Sequence, residues 1–316
     1  MKGKKDLREW WLKQLETLSI RDDVPTPQKM YQNLPNDLQQ NVHDRGYWTI
    51  IKLAIHLYYL NLYLKVMRGE KQKRLFNRIA YVDTFAGPGI VRVKQKHFFY
   101  GSPLLSILGP KENKFNTYIF IEKEQGAYVV LERVLRNLEE QGFLKNVSWQ
   151  IIKQDMNDVD YSAILSDFDH SLVFVDPEGI EPHFSTIEKI ASHNCDLVLN
   201  YMDSGVKRLY NRTDILERFF CGNLTDLKGP ADLFDRYLEC IRKIRSEVKY
   251  INVRGLGSFG YIILFAVRKT KGGNPWFKAL DNLKARVEQT QSMTFQAILE
   301  QFTGEQSIIL DQDPNQ

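Results

Sequence analysis

The chain has few cysteines, and their positions fit no familiar pattern. Three are present among 316 residues, at Cys195, Cys221 and Cys240. Their number is odd, and their spacing matches neither a zinc site nor a redox motif. We therefore expect buried free thiols in a reducing compartment, the cytoplasm.

Long apolar segments are also lacking. Residues 1–11 are charged and contain neither the apolar core nor the cleavage site of a signal peptide. The longest apolar run, residues 50–66, is interrupted by polar residues that include Lys52 and His56. No uninterrupted stretch reaches the length that a membrane span needs, so we expect no membrane partner.

The composition is that of a globular protein, with 43% hydrophobic and 26% charged residues. The length suffices for one large domain or for a domain with appendages. A formal net charge of +4 at pH 7 permits a nucleic-acid partner without requiring one.

Both glycine fingerprints of phosphate-binding folds are missing, namely G-x-G-x-x-G and the phosphate loop. Residues 79–89, Ile-Ala-Tyr-Val-Asp-Thr-Phe-Ala-Gly-Pro-Gly, instead predict an apolar strand that ends at Asp83 and a turn with Gly87 and Gly89. Glycines there let the backbone approach a ligand, at the strand end where open α/β sheets bind ligands. A turn with few glycines after a carboxylate suits a cofactor without a pyrophosphate, and S-adenosylmethionine (SAM) fits. The predicted cofactor residues in this segment are Asp83, Phe85, Ala86, Gly87 and Gly89; an ordinary strand-to-loop turn is the alternative.

The pattern along the chain predicts three regions. Residues 1–78 are expected to be helical, residues 79–270 to alternate strands with helices, and residues 271–316 to form a helical extension with a frayed tail. A helical insert at 203–249 could form a lid over the substrate side, although solvated helix charges are the commoner explanation.

Seven strands are expected in the middle region, at Ile79–Thr84, Thr117–Glu122, Ser148–Gln154, Ser171–Asp176, Asp196–Tyr201, Tyr250–Gly255 and Tyr261–Arg268. The last two are too close in sequence for a crossover helix, so they must form an antiparallel hairpin. Seven strands with a terminal antiparallel hairpin is the sheet of class I methyltransferases. The predicted fold is therefore α/β and Rossmann-like, with helical N- and C-terminal extensions.

Two further strand ends carry candidate cofactor residues. Glu122, at the end of the second strand, can accept hydrogen bonds from both hydroxyls of a ribose. Asp155 and Met156 follow the third strand, where an acidic side chain and the next backbone amide would contact an adenine. A solvated charge and a polar turn are the respective alternatives.

The fourth strand delivers Asp176-Pro177-Glu178-Gly179 at its end. Amino-methylating enzymes carry Asp/Asn-Pro-Pro-aromatic here, where the first side chain holds the target nitrogen and the aromatic ring stacks on the base. Asp176 and Pro177 fit that pattern, whereas Glu178 departs from it and could act as a general base. These three are the predicted catalytic residues; a structural Asp-Pro turn is the alternative.

A basic and aromatic stretch, residues 90–100, follows the glycine turn and is expected to be a loop above the cofactor mouth. Arg92, Lys94 and Lys96 would contact phosphates and Phe99 would stack on a base; packing of the aromatics onto the protein body is the equal alternative. Lys52 lies in an apolar helix and is expected either to meet a carboxylate or carbonyl or to extend to the surface.

Several of these segments together resemble the three-Cys-motif partner (TcmP) family. They are Trp48-x-x-x-Lys52, 81–89, Gly101-Ser-Pro-Leu104, Ile121-Glu122, 175–179 and 260–266, and the match runs over most of residues 46–270. The resemblance implies a SAM-dependent methyltransferase-like protein, adds Ser102 to the cofactor residues, and implies a radical-SAM-like partner protein that carries the three cysteines. That family usually has Asp-Pro-Phe-Gly at the fourth strand, so Glu178 departs from this pattern as well. Asp-Pro-Phe-Gly is also similar to tRNA guanine-26 dimethyltransferases, which favours RNA over DNA.

Two functions remain open at this point. The chain could methylate a nucleic acid at a base nitrogen, or it could be a binding subunit that keeps the fold without catalysis. A nicotinamide oxidoreductase is disfavoured by the missing third glycine and by the terminal hairpin.

Overall fold

The computed structural model describes residues 2–304 except positions 22, 70–75, 111, 226, 255–259, 272 and 291. The strands in this part of the chain are β1 (Asp44–Arg45), β2 (Ile79–Asp83), β3 (Ile90–Val93), β4 (His97–Tyr100), β5 (Thr117–Ile121), β6 (Ser148–Ile152), β7 (His170–Val175), β8 (Cys195–Tyr201), β9 (Glu247–Arg254) and β10 (Gly260–Val267).

The helices are α1 (Lys2–Ser19), α2 (Pro27–Gln32), α3 (Asn36–Gln39), α4 (Trp48–Arg68), α5 (Ser102–Leu108), α6 (Gln125–Glu140), α7 (Tyr161–Leu165), α8 (Phe184–Ser192), α9 (Asp203–Arg208), α10 (Thr213–Phe219), α11 (Leu233–Ile244), α12 (Ala279–Gln289) and α13 (Ser292–Phe302). Short 3₁₀ turns at Pro230–Asp232 and Pro275–Lys278 precede α11 and α12.

Seven strands form the central sheet, in the order β6–β5–β2–β7–β8–β10–β9. Pairing is parallel from β6 to β8, and β10 runs antiparallel to both β8 and β9. The predicted α/β fold with a terminal antiparallel hairpin is therefore confirmed, and each predicted strand is present within a few residues of its expected bounds. This is the sheet of Rossmann-like methyltransferase folds.

Helices cover both faces of the sheet. One apolar cluster joins the sheet to α1, α4, α5, α6, α12 and α13, and the other joins it to α7, α8, α10 and α11. Strands β2, β7 and β8 are buried along their whole length, as parallel strands between two helical layers are.

Helix α4 lies in this core. Despite the polar residues that interrupt it, its length and composition would allow it to cross a membrane, but 67% of its most apolar window is buried inside the fold. An apolar surface on most sides is typical of a buried helix. The fold itself accounts for the hydrophobicity of α4.

Residues 90–100 do not form the expected loop. They fold into the hairpin β3–β4, which pairs with β1 in a small second sheet of order β1–β3–β4. Its turn has positive φ at Lys94 (50°) and Gln95 (62°), the backbone of a tight hairpin turn. Because Lys-Gln lacks the usual Asn-Gly signal of such a turn, the sequence pattern did not predict this hairpin.

The expectation of free thiols is wrong for two of the three cysteines. Cys221, which follows α10, is joined in a disulfide to Cys240 of α11, and Cys195 is free and buried. The separation of 19 residues matches no motif, since the pairing arises from the packing of two helices. Helix α11 ends at Ile244, shortly before β9, and the C-terminal helical extension consists of the 3₁₀ turn Pro275–Lys278 and the separate helices α12 and α13. The frayed tail falls on residues 305–316, outside the described residues.

Candidate functional site

A cavity of about 960 Å³ opens at the carboxyl ends of the parallel strands. Its floor consists of the segments that follow β2, β5, β6, β7 and β8, and Tyr261 at the start of β10 completes it. Residues 41–53, from the end of α3 to the first turns of α4, supply much of one wall. The N-terminal helical region is therefore part of the site, which the sequence did not indicate.

The glycine turn between β2 and α5 is held close to the protein. Gly87 and Gly89 have φ of 62° and 75°, a left-handed conformation that favours glycine. The Gly101 amide donates to the Gly89 carbonyl at 2.7 Å, and a Cβ on Gly101 would lie 2.9 Å from that same carbonyl. A Cβ on Gly87 would meet no atom within 4 Å, so this face of the turn is open.

Glu122 lies beside that turn. Its Oε2 accepts from the Gly87 amide and its Oε1 from the Glu124 amide, both at 2.7 Å. Burial raises the pKa of Glu122, and the two amide bonds oppose that shift. A carboxylate accepts about four hydrogen bonds, which leaves two for a ligand with adjacent hydroxyls. Glu122 and Gly87 both line the cavity.

Asp83 lies beneath the turn and is fully buried. Its Oδ1 accepts from the Phe85 amide at 3.2 Å and its Oδ2 from the Tyr81 hydroxyl at 3.3 Å. That hydroxyl lies 2.9 Å from Nε2 of His56. Burial raises the pKa of Asp83 to about 7 and lowers the pKa of His56 to about 3. Asp83 therefore supports the turn from below and is not among the cavity-lining residues.

The segment after β6 differs in detail from the expectation. Asp155 accepts from the backbone and side-chain nitrogens of Asn157, both at 2.9 Å, and lies 3.4 Å from the ammonium of Lys123. Met156 lines the cavity, as does Gln154, whereas Asp155 does not. Gln154 is a polar residue of the lining that the sequence pattern did not indicate.

The turn after β7 is held by several polar contacts. The Lys52 ammonium lies 2.7 Å from each carboxylate oxygen of Asp176, and the Asn200 amide donates to the same carboxylate at 2.8 Å. The Lys52 and Asp176 side chains are only 16% and 12% exposed. Of the two alternatives for Lys52, pairing with a carboxylate is the correct one.

The neighbouring residues of this turn face outward. Pro177 and Glu178 line the cavity, and Glu178, with 69% of its side chain exposed, forms an ion pair with Arg45 of β1. The backbone amide of Gly179 donates to Glu181, 2.9 Å away. Glu178 therefore lies at the rim of the cavity, and Gly179 occupies the position at which the amino-methylating pattern has its aromatic residue.

The residues predicted to contact a substrate lie apart from the cavity. Arg92 donates to the Tyr31 hydroxyl at 3.2 Å, and Lys94 pairs with Glu300 at 3.3 Å. Phe99 is 1% exposed, so stacking on a base is wrong for this residue; its ring belongs to the core. Lys96 is exposed in the hairpin turn and, like Arg92 and Lys94, is absent from the lining.

The aromatic part of the cavity wall was not predicted. Trp48 and Tyr261 line it, and the Tyr261 hydroxyl donates to the Trp48 carbonyl at 2.5 Å. Ser102 and Phe85, two of the predicted cofactor residues, also line the cavity. The helical insert 203–249 contributes no residue to the lining that the structure describes. Nor do the described residues contain a cluster of three or more His, Cys, Asp or Glu placed to hold a metal ion.

Comparisons with known proteins bear on the fold. No protein-family model matches the chain, and no curated protein matches it significantly. Among solved structures, the small RNA methyltransferase HEN1 matches 67% of this chain and 26% of its own, with 15% identity and a TM-score of 0.36. M. jannaschii TYW2 in complex with AdoMet matches 59% of this chain and 67% of its own, with 16% identity and a TM-score of 0.33.

The N-terminal domain of EvdMO1 with SAH bound matches 79% of this chain and 99% of its own, with 11% identity and a TM-score of 0.43. This chain spans about a quarter of the length of HEN1. At such identities the likeness concerns the fold alone. The strand order of the sheet independently defines the chain as a Rossmann-like fold of the methyltransferase type.

Proposed function

We propose that this protein is a SAM-dependent methyltransferase that acts on a base nitrogen of a nucleic acid, with RNA favoured over DNA. One observation carries the proposal: a single cavity joins Glu122 and the open glycine turn to the Asp176 turn. The first part suits a nucleoside cofactor, and the second suits a methyl acceptor. Methyl transfer needs both within one enclosed space, because it depends on in-line positioning of the two reactants.

The residues present fit SAM. The open face of Gly87, where a Cβ would meet no protein atom within 4 Å, provides room for a ligand against the backbone. The two free acceptor positions of Glu122 match the two hydroxyls of a ribose, and Gln154 and Met156 lie where the adenine would be held. When bound, SAM supplies a methyl group on a cationic sulfur, which suits a cavity lined by Glu122, Glu124 and Glu181.

The acceptor is assigned to the other end of the cavity. There Asp176 is fixed by Lys52 and Asn200, so its carboxylate is oriented before any ligand arrives. Trp48 and Tyr261 add aromatic surface next to it, and aromatic rings stack on all four bases. Arg45 at the rim and the net charge of +4 suit an anionic polymer.

Methyl transfer to nucleic acid tests this function. The purified protein is incubated with isotopically labelled SAM and with total tRNA, ribosomal RNA or genomic DNA, and label in the polymer is counted. We expect label in RNA that disappears in Asp176→Ala and persists in Asp214→Ala. Asp214 is a suitable control because it is an exposed carboxylate paired with Arg212 outside the cavity.

A second function is favoured by one observation, the exposed Glu178 at the acceptor turn, where the three-Cys-motif partner family usually has phenylalanine. In that case the chain binds SAM but acts only as the partner subunit of a three-Cys-motif radical-SAM-like protein. Saturable SAM binding without label in any polymer separates this function from the first. The same incubation with the three-Cys-motif protein added shows whether label depends on that partner.

A further inference from the structure

Lys52 and Asp176 together offer an adjacent hydrogen-bond donor and acceptor at the acceptor end of the cavity. The ammonium has three N–H groups, of which two reach the Asp176 oxygens at 2.7 Å. The carboxylate accepts from Lys52 and from Asn200 and retains capacity for one further donor. Both side chains are partly exposed and line the cavity.

This pair disfavours an aliphatic amine as the methyl acceptor. A protonated amine would need an unpaired carboxylate, but the charge of Asp176 is already balanced by Lys52. A flat group with an N–H beside a second polar atom fits better, since the N–H can reach Asp176 while its neighbour accepts from Lys52. Nucleobase edges have this arrangement, and Trp48 and Tyr261 flank the space.

The charge of Lys52 separates two kinds of base edge. In a lactam edge, as in guanine or uracil, the ring N–H lies beside a carbonyl oxygen that gains negative charge when the nitrogen loses its proton. A cation next to that oxygen stabilises the change. In an adenine or cytosine edge, the amino nitrogen gains positive charge as it attacks, and the same cation disfavours it.

We propose that the acceptor is a lactam nitrogen of a base, and that Lys52 is the residue that determines this specificity. The inference rests on the proposed function. The N–H proton passes to the Asp176 carboxylate, and the electron pair left on nitrogen forms the new N–C bond. The electron pair of the broken S–C bond stays on sulfur.

Binding of mononucleotides tests the inference without a known substrate. The dissociation constants of GMP, UMP, AMP and CMP are measured by ligand-observed NMR on the protein saturated with S-adenosylhomocysteine and on the protein alone. All four carry the same type of phosphate, so differences reflect the base. We expect GMP and UMP to bind about tenfold more tightly than AMP and CMP, the worth of one good hydrogen bond.

Two variants assign the preference to Lys52. Lys52→Met should bring the four affinities to within about twofold of one another, with GMP and UMP losing most. Lys249→Met is the matched control, because Lys249 also pairs with an aspartate, Asp281, but lies outside the cavity; it should keep the preference. Thermal unfolding verifies that each variant is folded.

The outcomes separate this inference from the proposed function. Equal or tighter binding of AMP or CMP to the wild-type protein overturns the lactam assignment, as does the absence of binding by all four at ~10 mM, a range far weaker than specific recognition. A preference that survives in Lys52→Met overturns the role of Lys52. The same samples show whether S-adenosylhomocysteine binds. Failure of S-adenosylhomocysteine to bind counts against SAM as the cofactor, and this result does not depend on the relative affinities of the four nucleotides.

Discussion

Replacing Glu122 with Gln should weaken both the fold around the glycine turn and the binding of the cofactor. The wild-type carboxylate accepts two backbone amides at 2.7 Å, one on each oxygen. Glutamine keeps one oxygen, but its NH2 group must then face the other amide, donor against donor. Hydrogen bonds to a charged group contribute about 1.5–3 kcal/mol each, and Glu122 is only 8% exposed.

We therefore expect Glu122→Gln to lower the free energy of unfolding by about 2 kcal/mol. The affinity for S-adenosylhomocysteine should fall about 10–100-fold, because one acceptor for the ribose hydroxyls is also lost. Denaturant unfolding gives the first quantity and calorimetric titration gives the second.

Asp155→Asn is the matched control. Asp155 also ends a segment at this edge of the sheet, but it does not line the cavity, and its contacts are made to Asn157 and Lys123. The control should leave the cofactor affinity within about threefold of wild type, since no ligand contact is lost. An unchanged affinity for S-adenosylhomocysteine in Glu122→Gln would refute the assignment of the ribose to Glu122. A large loss of affinity in Asp155→Asn would indicate that the ligand contacts Asp155.

Three further predictions concern Asp83, Gly101 and the disulfide. Burial raises the pKa of Asp83 from 3.8 to about 7, so the stability that its protonation gives is lost as the pH rises from about 4 to 7. Asp83→Asn should therefore make the free energy of unfolding less dependent on pH in this range, by up to about 1.4 kcal/mol per pH unit. An unchanged slope of that free energy against pH would contradict the prediction. Gly101→Ala should lower the free energy of unfolding by about 1–3 kcal/mol, because the new Cβ would lie 2.9 Å from the backbone of Gly89. Gly229→Ala is the control, since a Cβ there meets nothing within 4 Å, and equal Tm values for the two variants would be inconsistent with the packing. The double variant Cys221→Ser, Cys240→Ser should be about 3 kcal/mol less stable than wild type under oxidising conditions, because the disulfide closes a loop of 19 residues and restricts the unfolded chain. Equal stability of the variant and the wild-type protein would argue against the disulfide.

Much of the fold could be predicted because hydrophobic patterns report burial directly. The strands β2, β7 and β8 are buried on both faces and appear in the sequence as continuous apolar runs. The short connection before β10 excluded a crossover helix and so gave the antiparallel hairpin. The small sheet was not predictable in the same way, since β1 has two residues and the β3–β4 turn uses Lys94 and Gln95.

The candidate site was predicted only where its residues follow strands in sequence. Glu122, Gly87 and Asp176 could be placed because the carboxyl ends of parallel strands meet at one edge of the sheet. Lys52 meets Asp176 across 124 residues, and Tyr261 meets Trp48 across 213. Such contacts depend on how α4 packs against the sheet, and no local pattern encodes them. Phe99 is an aromatic residue in a basic segment, a pattern typical of base stacking, yet tertiary packing buries its ring.

Calorimetric titration of the purified protein with SAM tests the central claim most directly, when it is accompanied by Gly87→Leu and Gly273→Leu. The two glycines have similar positive φ, 62° and 71°, and in both places a Cβ meets no atom within 4 Å, so the backbone strain of the two substitutions is alike. Only Gly87 lines the cavity. We predict saturable binding of one SAM to the wild-type protein and to Gly273→Leu, and its loss in Gly87→Leu. No binding to the wild-type protein, or equal binding to all three, would contradict it.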